Sequence, residues 1–182
     1  QTTLDAIDAA NALDPRQDED QPEALLYGQR MTQELARLFP DASEELQIAA
    51  RGQHVERWTL PRASFPDGRI GYLTWRKELA AHHARVAGRI MADTGYEAEQ
   101  IETVGRMLRK EGIKRHSDVQ RLEDVICFVF VRWYFAPFAA KHSPDKIQRI
   151  VEKTALKMSS EGRARVLAEF DLPVDLAAAF RI

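Results

Sequence analysis

The sequence predicts an all-α, HD-domain-like fold, a single compact helical domain of about 7–9 helices over residues 1–182. Three observations predict it. Apolar residues recur at three- and four-residue spacing along most of the chain, the signature of helices with one buried face. Proline, glycine and capping side chains punctuate those stretches where helices would start and stop. The most apolar run, LEDVICFVFVRWYFAPF, is β-branched but longer than an ordinary strand, and the helical patterns around it favour a helix.

Residues 3 to 13 (TLDAIDAANAL) form a short amphipathic helix that Asp14-Pro15 ends. The polar RQDEDQ segment reads as a loop. Pro22 suits the first position of a helix running to about Phe39, with Tyr27, Met31, Leu35 and Leu38 inward and Arg30 on the flank. Asp41 is placed to cap a third helix running through Ala49 to Arg57, with Glu44 and Glu45 in its first turn. Residues 58 to 71 (WTLPRASFPDGRIG) read as an ordered loop rich in arginine and aromatics. A long helix follows from about Tyr72 to Thr94. His83 falls on its apolar side among Leu79, Val86, Ala87 and Ile90, and His82 on its polar side. Gly95 ends that helix, another spans about Ala98 to Lys110, and Gly112 breaks it. Ser117 and Gln120 form a capping-box pattern opening the central apolar helix, on which Asp124 projects from a mostly apolar face. Ser143-Pro144 starts a further helix, and short ones near 160 to 169 and 173 to 181 finish the chain.

Composition bounds the chemistry. With 26 Lys and Arg against 28 Asp and Glu, the formal net charge of −2 gives no global attraction to nucleic acid or anionic lipid, so an anion site must be local. The one cysteine, Cys127, rules out an internal disulfide and sits in too apolar a run for an activated thiolate. The lone cysteine fits a reducing compartment and no run reaches the length of a membrane span, so the expectation is a cytoplasmic protein. There is no GxSxG elbow, no Gly-rich phosphate loop and no HExxH motif.

The stretch Ala49 to Arg62, AARGQHVERWTLPR, carries the strongest functional signal. Its apolar stripe of Leu46, Ala49 and Ala50 runs on to Gln53, His54 and Arg57, groups that are expensive to bury unless something meets them. His54, His83 and Asp124 each project from an inward helix face and together have the chemistry to hold one divalent ion, with Mn, Fe, Ni or Zn suiting two imidazoles and a carboxylate. Glu56 and Glu111 are further candidate bases or ligands. Arg51, Arg57, Arg62, Arg69 and Arg76 surround the arginine-rich loop, and Lys110 lies in a second basic cluster, residues 106 to 116. Arginine forks match phosphate and carboxylate geometry, while Trp58, Tyr72 and Trp75 offer stacking faces.

The motifs YGQRM at 27 to 31, IAARGQH at 48 to 54, His83 in its helix and LEDV at 122 to 125 resemble a worn HD-domain pattern. That superfamily is all-helical, and its active members hold divalent metal through a first-helix His, a His-Asp doublet and a later Asp. Most of its known members hydrolyse phosphate esters. In detail YGQRMT, AARGQHVERW, LPR, GYLTWR, LEDV and FAAKH resemble an uncharacterised bacterial and fungal domain family, some of whose members carry a glutamyl-tRNA synthetase label. On the HD pattern Tyr27 stands in place of the first His and Gln53-His54 in place of His-Asp, while Asp124 keeps its type. A phenol and an amide are poor ligands at neutral pH, so a metal site would be rebuilt around His54 and His83.

The expected function is therefore binding of a phosphorylated small molecule or nucleotide, with hydrolysis at one metal as the enzymatic version. In that version Glu56 and Lys110 serve catalysis, and Tyr27, Arg30, Arg51, Gln53, Arg57, Trp58, Arg62, Trp75 and Arg76 hold the ligand. The alternative is a metal-free binding or regulatory protein in which Tyr27, Gln53, His54 and Asp124 form a hydrogen-bonded network. RNA binding through residues 106 to 116 is a third reading, which the near-neutral charge balance disfavours.

Overall fold

Side-chain oxygens start the first helices. In the computed structural model, which describes residues 2–182, the Thr2 hydroxyl accepts from the Asp5 N–H and Asp5 reaches back to Thr2 N–H, closing a capping box on α1 (Thr3–Asn11). Ten α-helices and one two-stranded ribbon, joined by short 3-10 and π turns, make up the regular structure among the described residues. The all-α prediction holds. No helix among them is long and apolar enough to cross a membrane.

The chain forms two compact units, Gln1–Glu111 and Gly112–Ile182. In the first, the polar segment expected to be a loop is a hairpin, with β1 (Gln17–Asp18) antiparallel to β2 (Gln21–Pro22). Glu19 and Asp20 turn it with φ of 50° and 60°, the left-handed pair that a two-residue hairpin demands. Strands of two residues have no alternation for a pattern to reveal.

Next come α2 (Glu23–Leu38) and α3 (Glu44–Arg51). Ser43, not Asp41, caps α3, its hydroxyl accepting from Leu46 N–H at 3.2 Å. The helix stops at Gly52 instead of running through Arg57. The loop after it holds two 3-10 turns, Arg57–Thr59 and Arg62–Ser64. The long helix α4 (Gly68–Asp93) begins a turn earlier than predicted, and α5 (Ala98–Leu108) completes the unit. Its core joins Ile7 of α1, Met31 and Leu35 of α2, Leu46 and Ile48 of α3, Ala87 and Met91 of α4, and Met107 and Leu108 of α5, all nearly inaccessible.

The second unit is built on α6 (Ser117–Val129), which continues through a π turn, Phe130–Tyr134, into α7 (Phe135–Ala139). The apolar run is thus helical as predicted, with a wider turn inside it. The Ser117/Gln120 box does not form. His116 takes the cap position, and Gln120 Nε2 donates instead to Asp124 Oδ1 at 3.1 Å and to the Lys157 carbonyl at 2.9 Å. Helices α8 (Pro144–Lys157), α9 (Ser160–Glu169) and α10 (Val174–Ala178) follow near the predicted positions.

Candidate functional site

Because α3 stops at Gly52, the residues expected on its last turns instead lie in a tight series of turns. Glu56 has φ of 50°, a left-handed conformation uncommon for a residue with a side chain. Close helix packing frames the segment. A Cβ on Gly28 would lie 2.9 Å from the Arg51 carbonyl oxygen, so glycine lets α2 approach the end of α3. One residue before it, Tyr27 stacks on His54 with ring centroids 3.6 Å apart and planes within 13°. The Val55 carbonyl accepts from His83 Nδ1 at 2.8 Å. The Arg57 guanidinium lies over the Trp75 ring, 5.0 Å from its centroid.

His54 is partly exposed, and its ring nitrogens make no hydrogen bond among the described residues. Burial first, then the charge of Arg57, the nearby His83, and the charges of Arg76 and Lys110, hold its imidazole neutral, well below its ordinary titration range. His83, 6.1 Å from His54 between ring centroids, is 3% exposed. Burial brings its pKa down to about 3; the Val55 bond opposes this, and Arg57, His82 and Arg76 add to it. Arg57 itself is pushed down by burial and then by Arg76. The cluster is cationic around two neutral imidazoles.

The arginines of this unit that are wholly or partly buried fall into two groups. Arg16 pairs with Asp14, Arg30 with Asp18 and Glu19, Arg51 with Asp8, and Arg109 with Glu102 and Glu111, while Arg62 donates to the Phe65 carbonyl. Arg57 and Arg76 make neither an ion pair nor a hydrogen bond among the described residues. A desolvated guanidinium without an ion pair is costly, and for Arg57 the distant charge of Glu23 offsets burial and Arg76 only in part.

A family model described as a domain of unknown function (DUF4202) matches residues 1–179. The chain belongs to this family. No curated protein and no solved structure matches it.

The structure brings together Tyr27, His54, His83, Arg57, Trp75 and Arg76 of the residues singled out by sequence, with Lys110 close enough for its charge to act on His54. The forks of Arg30, Arg51 and Arg62 are engaged within the fold. Trp75 is 8% exposed and donates Nε1–H to the Leu60 carbonyl at 3.0 Å, so it supports Arg57 rather than offering a face for a base. Glu56 faces Arg89 at 3.4 Å, and Trp58 is half-buried. Sequence reasoning missed Asn11, which is fully buried and accepts from Glu56 N–H at 3.4 Å. Its signal was present: Thr3, Ile7 and Asn11 are four apart on one face of α1, and two of the three are polar.

Asp124 is answered within its own unit. Its Oδ1 accepts from Ser159 N–H at 2.8 Å and from Gln120 Nε2 at 3.1 Å, and its Oδ2 accepts from the Ser159 hydroxyl at 2.6 Å. Ser159 caps α9 by accepting from Gly162 N–H, and a Cβ on Gly162 would lie 2.9 Å from the Asp124 carboxyl carbon. The aspartate therefore closes a helix start. Burial raises its pKa against the lowering effect of those bonds. The network expected among Tyr27, Gln53, His54 and Asp124 is in this respect corrected, because the hydrogen bonds of the Asp124 carboxylate go to Ser159 and Gln120.

The donors do not fit the divalent metal that the HD resemblance implies. No group of three or more His, Cys, Asp or Glu among the described residues is arranged to hold one. His83 Nδ1 is engaged by Val55, the carboxylate of the expected trio accepts from Ser159 and Gln120, and the leading charges around His54 are positive. This arrangement suits an anion.

Proposed function

We propose that the first unit binds a phosphorylated small molecule or nucleotide without metal, as an HD-like scaffold whose metal-type positions serve anion recognition. The observation that carries this reading is the pair of part-buried arginines, Arg57 and Arg76, with no ion pair or hydrogen bond among the described residues, near a neutral His54 with unengaged ring nitrogens. Two guanidinium forks offer a dianion several N–H donors in fixed planes, and Lys110 adds charge to the same field. The neutral imidazole keeps both a donor and an acceptor for the phosphoryl oxygens and their protons. Trp75 holds Arg57 in place from behind.

Calorimetric titration of the full chain with phosphate, pyrophosphate and AMP tests this reading. The expected result is saturable binding, weakened about tenfold or more by Arg57→Met and by Arg76→Met, since a charge-assisted hydrogen bond contributes roughly 1.5–3 kcal/mol. Absence of binding to all three, or equal binding by both variants, overturns it.

A further inference from the structure

The cationic cluster leaves part of the site's chemistry unexplained. Besides Asp8 Oδ1 and Arg51 Nε, which face each other at 2.8 Å, three buried side-chain atoms of the first unit have no hydrogen-bond partner among the described residues: His83 Nε2, Gln53 Oε1 and Asn11 Nδ2. His83 and Gln53 are 3% and 6% exposed, so both are deeply buried. The Val55 carbonyl can only accept, so the His83 proton sits on Nδ1 and Nε2 presents a lone pair. Gln53 Oε1 presents another. Neither is suited to a phosphoryl oxygen, which is itself an acceptor.

What His83 Nε2 and Gln53 Oε1 lack is a donor, whereas Asn11 Nδ2 is itself one. We propose that the ligand carries a hydroxyl beside its phosphate, and that His83 Nε2 accepts the proton of that hydroxyl, leaving Gln53 Oε1 to accept from a further donor of the ligand. The ligand class is thus a hydroxylated phosphate, such as a sugar phosphate or the ribose phosphate of a nucleotide, as opposed to a simple alkyl phosphate. This rests on the reading of Arg57 and Arg76 as the phosphate clamp. The His54 ring, stacked on Tyr27, lies 6.1 Å from the His83 ring, and its nitrogens are unengaged. The fixed tautomer makes the subsite selective: an imidazole that can only accept rejects a ligand lacking the donor, because Nε2 would stay buried and unpaired.

The test uses the full chain labelled with 15N-histidine and three probes of like charge: ethyl phosphate, glycerol phosphate and ribose 5-phosphate. All three are expected to bind through Arg57, losing affinity in Arg57→Met. At least one hydroxylated probe is expected to bind about tenfold tighter than ethyl phosphate. That probe should also move the His83 Nε2 resonance toward the position of a hydrogen-bonded nitrogen, and ethyl phosphate should leave it unmoved. Equal affinities with an unmoved resonance overturn the hydroxyl subsite and leave the phosphate clamp standing, His83 then being satisfied by a resident water. Failure of every probe to bind overturns the clamp and this inference together.

Discussion

Asp124 in the second unit and the Arg57–Arg76 cluster in the first are both charge set into a folded interior, and they differ in who answers it. Asp124 accepts three hydrogen bonds from Ser159 and Gln120, and Gly162 leaves the space for its carboxyl. The two arginines meet each other's charge, an aromatic face and two neutral imidazoles, and the charge of Glu23 reaches Arg57 without forming an ion pair. A buried charge with its partners supplied holds the fold together; one without them is retained at a cost in stability and suits a group arriving from outside.

The largest expected effect lies on the answered side. Asp124→Ala leaves the part-buried Ser159 N–H unpaired and frees the hydroxyl that caps α9 from the group that orients it, so a loss of about 2–4 kcal/mol in urea unfolding is expected, with affinity for phosphate unchanged. A loss under about 0.5 kcal/mol would show that the three bonds contribute little.

Acid sharpens the contrast on the other side. His83 titrates at about 3 folded and near 6.5 unfolded, so between those values the unfolded chain binds the extra proton. Its contribution is fully present above pH 6.5 and falls as pH drops toward 3. His54, shifted in the same direction, adds to the loss. For His83 alone, moving from pH 7 to pH 5 should cost about 2 kcal/mol, read from urea midpoints at the two values. Constant stability across that window would mean the imidazoles are not buried as described.

Two arginine substitutions compare like with like. Arg30→Met breaks ion pairs at 2.8 and 2.7 Å on a side chain 5% exposed and should cost about 1–2 kcal/mol. Arg57→Met removes only the contact with Trp75 and relieves a desolvated charge, so its stability should stay within about 1 kcal/mol of the parent. The smallest effect concerns backbone. Glu56→Gly relieves a φ of 50° and should stabilise by about 0.5 kcal/mol in thermal melts, because the carboxylate's pair with exposed Arg89 is weak.

Sequence pattern revealed what is local. Helix positions, the burial of His83 and the projection of Asp124 from an apolar face all follow from periodicity, which reports which way a side chain points. It does not report what waits there. Arg30 and Arg57 look alike in the chain, and the difference between them is made by a two-residue hairpin that delivers Asp18 and Glu19 to one of them. The partner of Asp124 is Ser159, 35 residues on, joined by long-range packing that no local spacing encodes. The early end of α3 was likewise hidden. Continuing its stripe through Gln53 and His54 is geometrically natural, but the helix ends at Gly52 and the chain turns on to the left-handed Glu56.

Thermal melting of the parent and Arg57→Met, each with and without pyrophosphate, tests the central claim most directly. Unanswered charge kept for a ligand predicts that the variant melts at or close to the parent's temperature without pyrophosphate, and that pyrophosphate raises the melting temperature of the parent alone. A variant that melts far lower without ligand, beside a parent that pyrophosphate leaves unchanged, would mean that Arg57 serves the fold and that the cluster is no anion site.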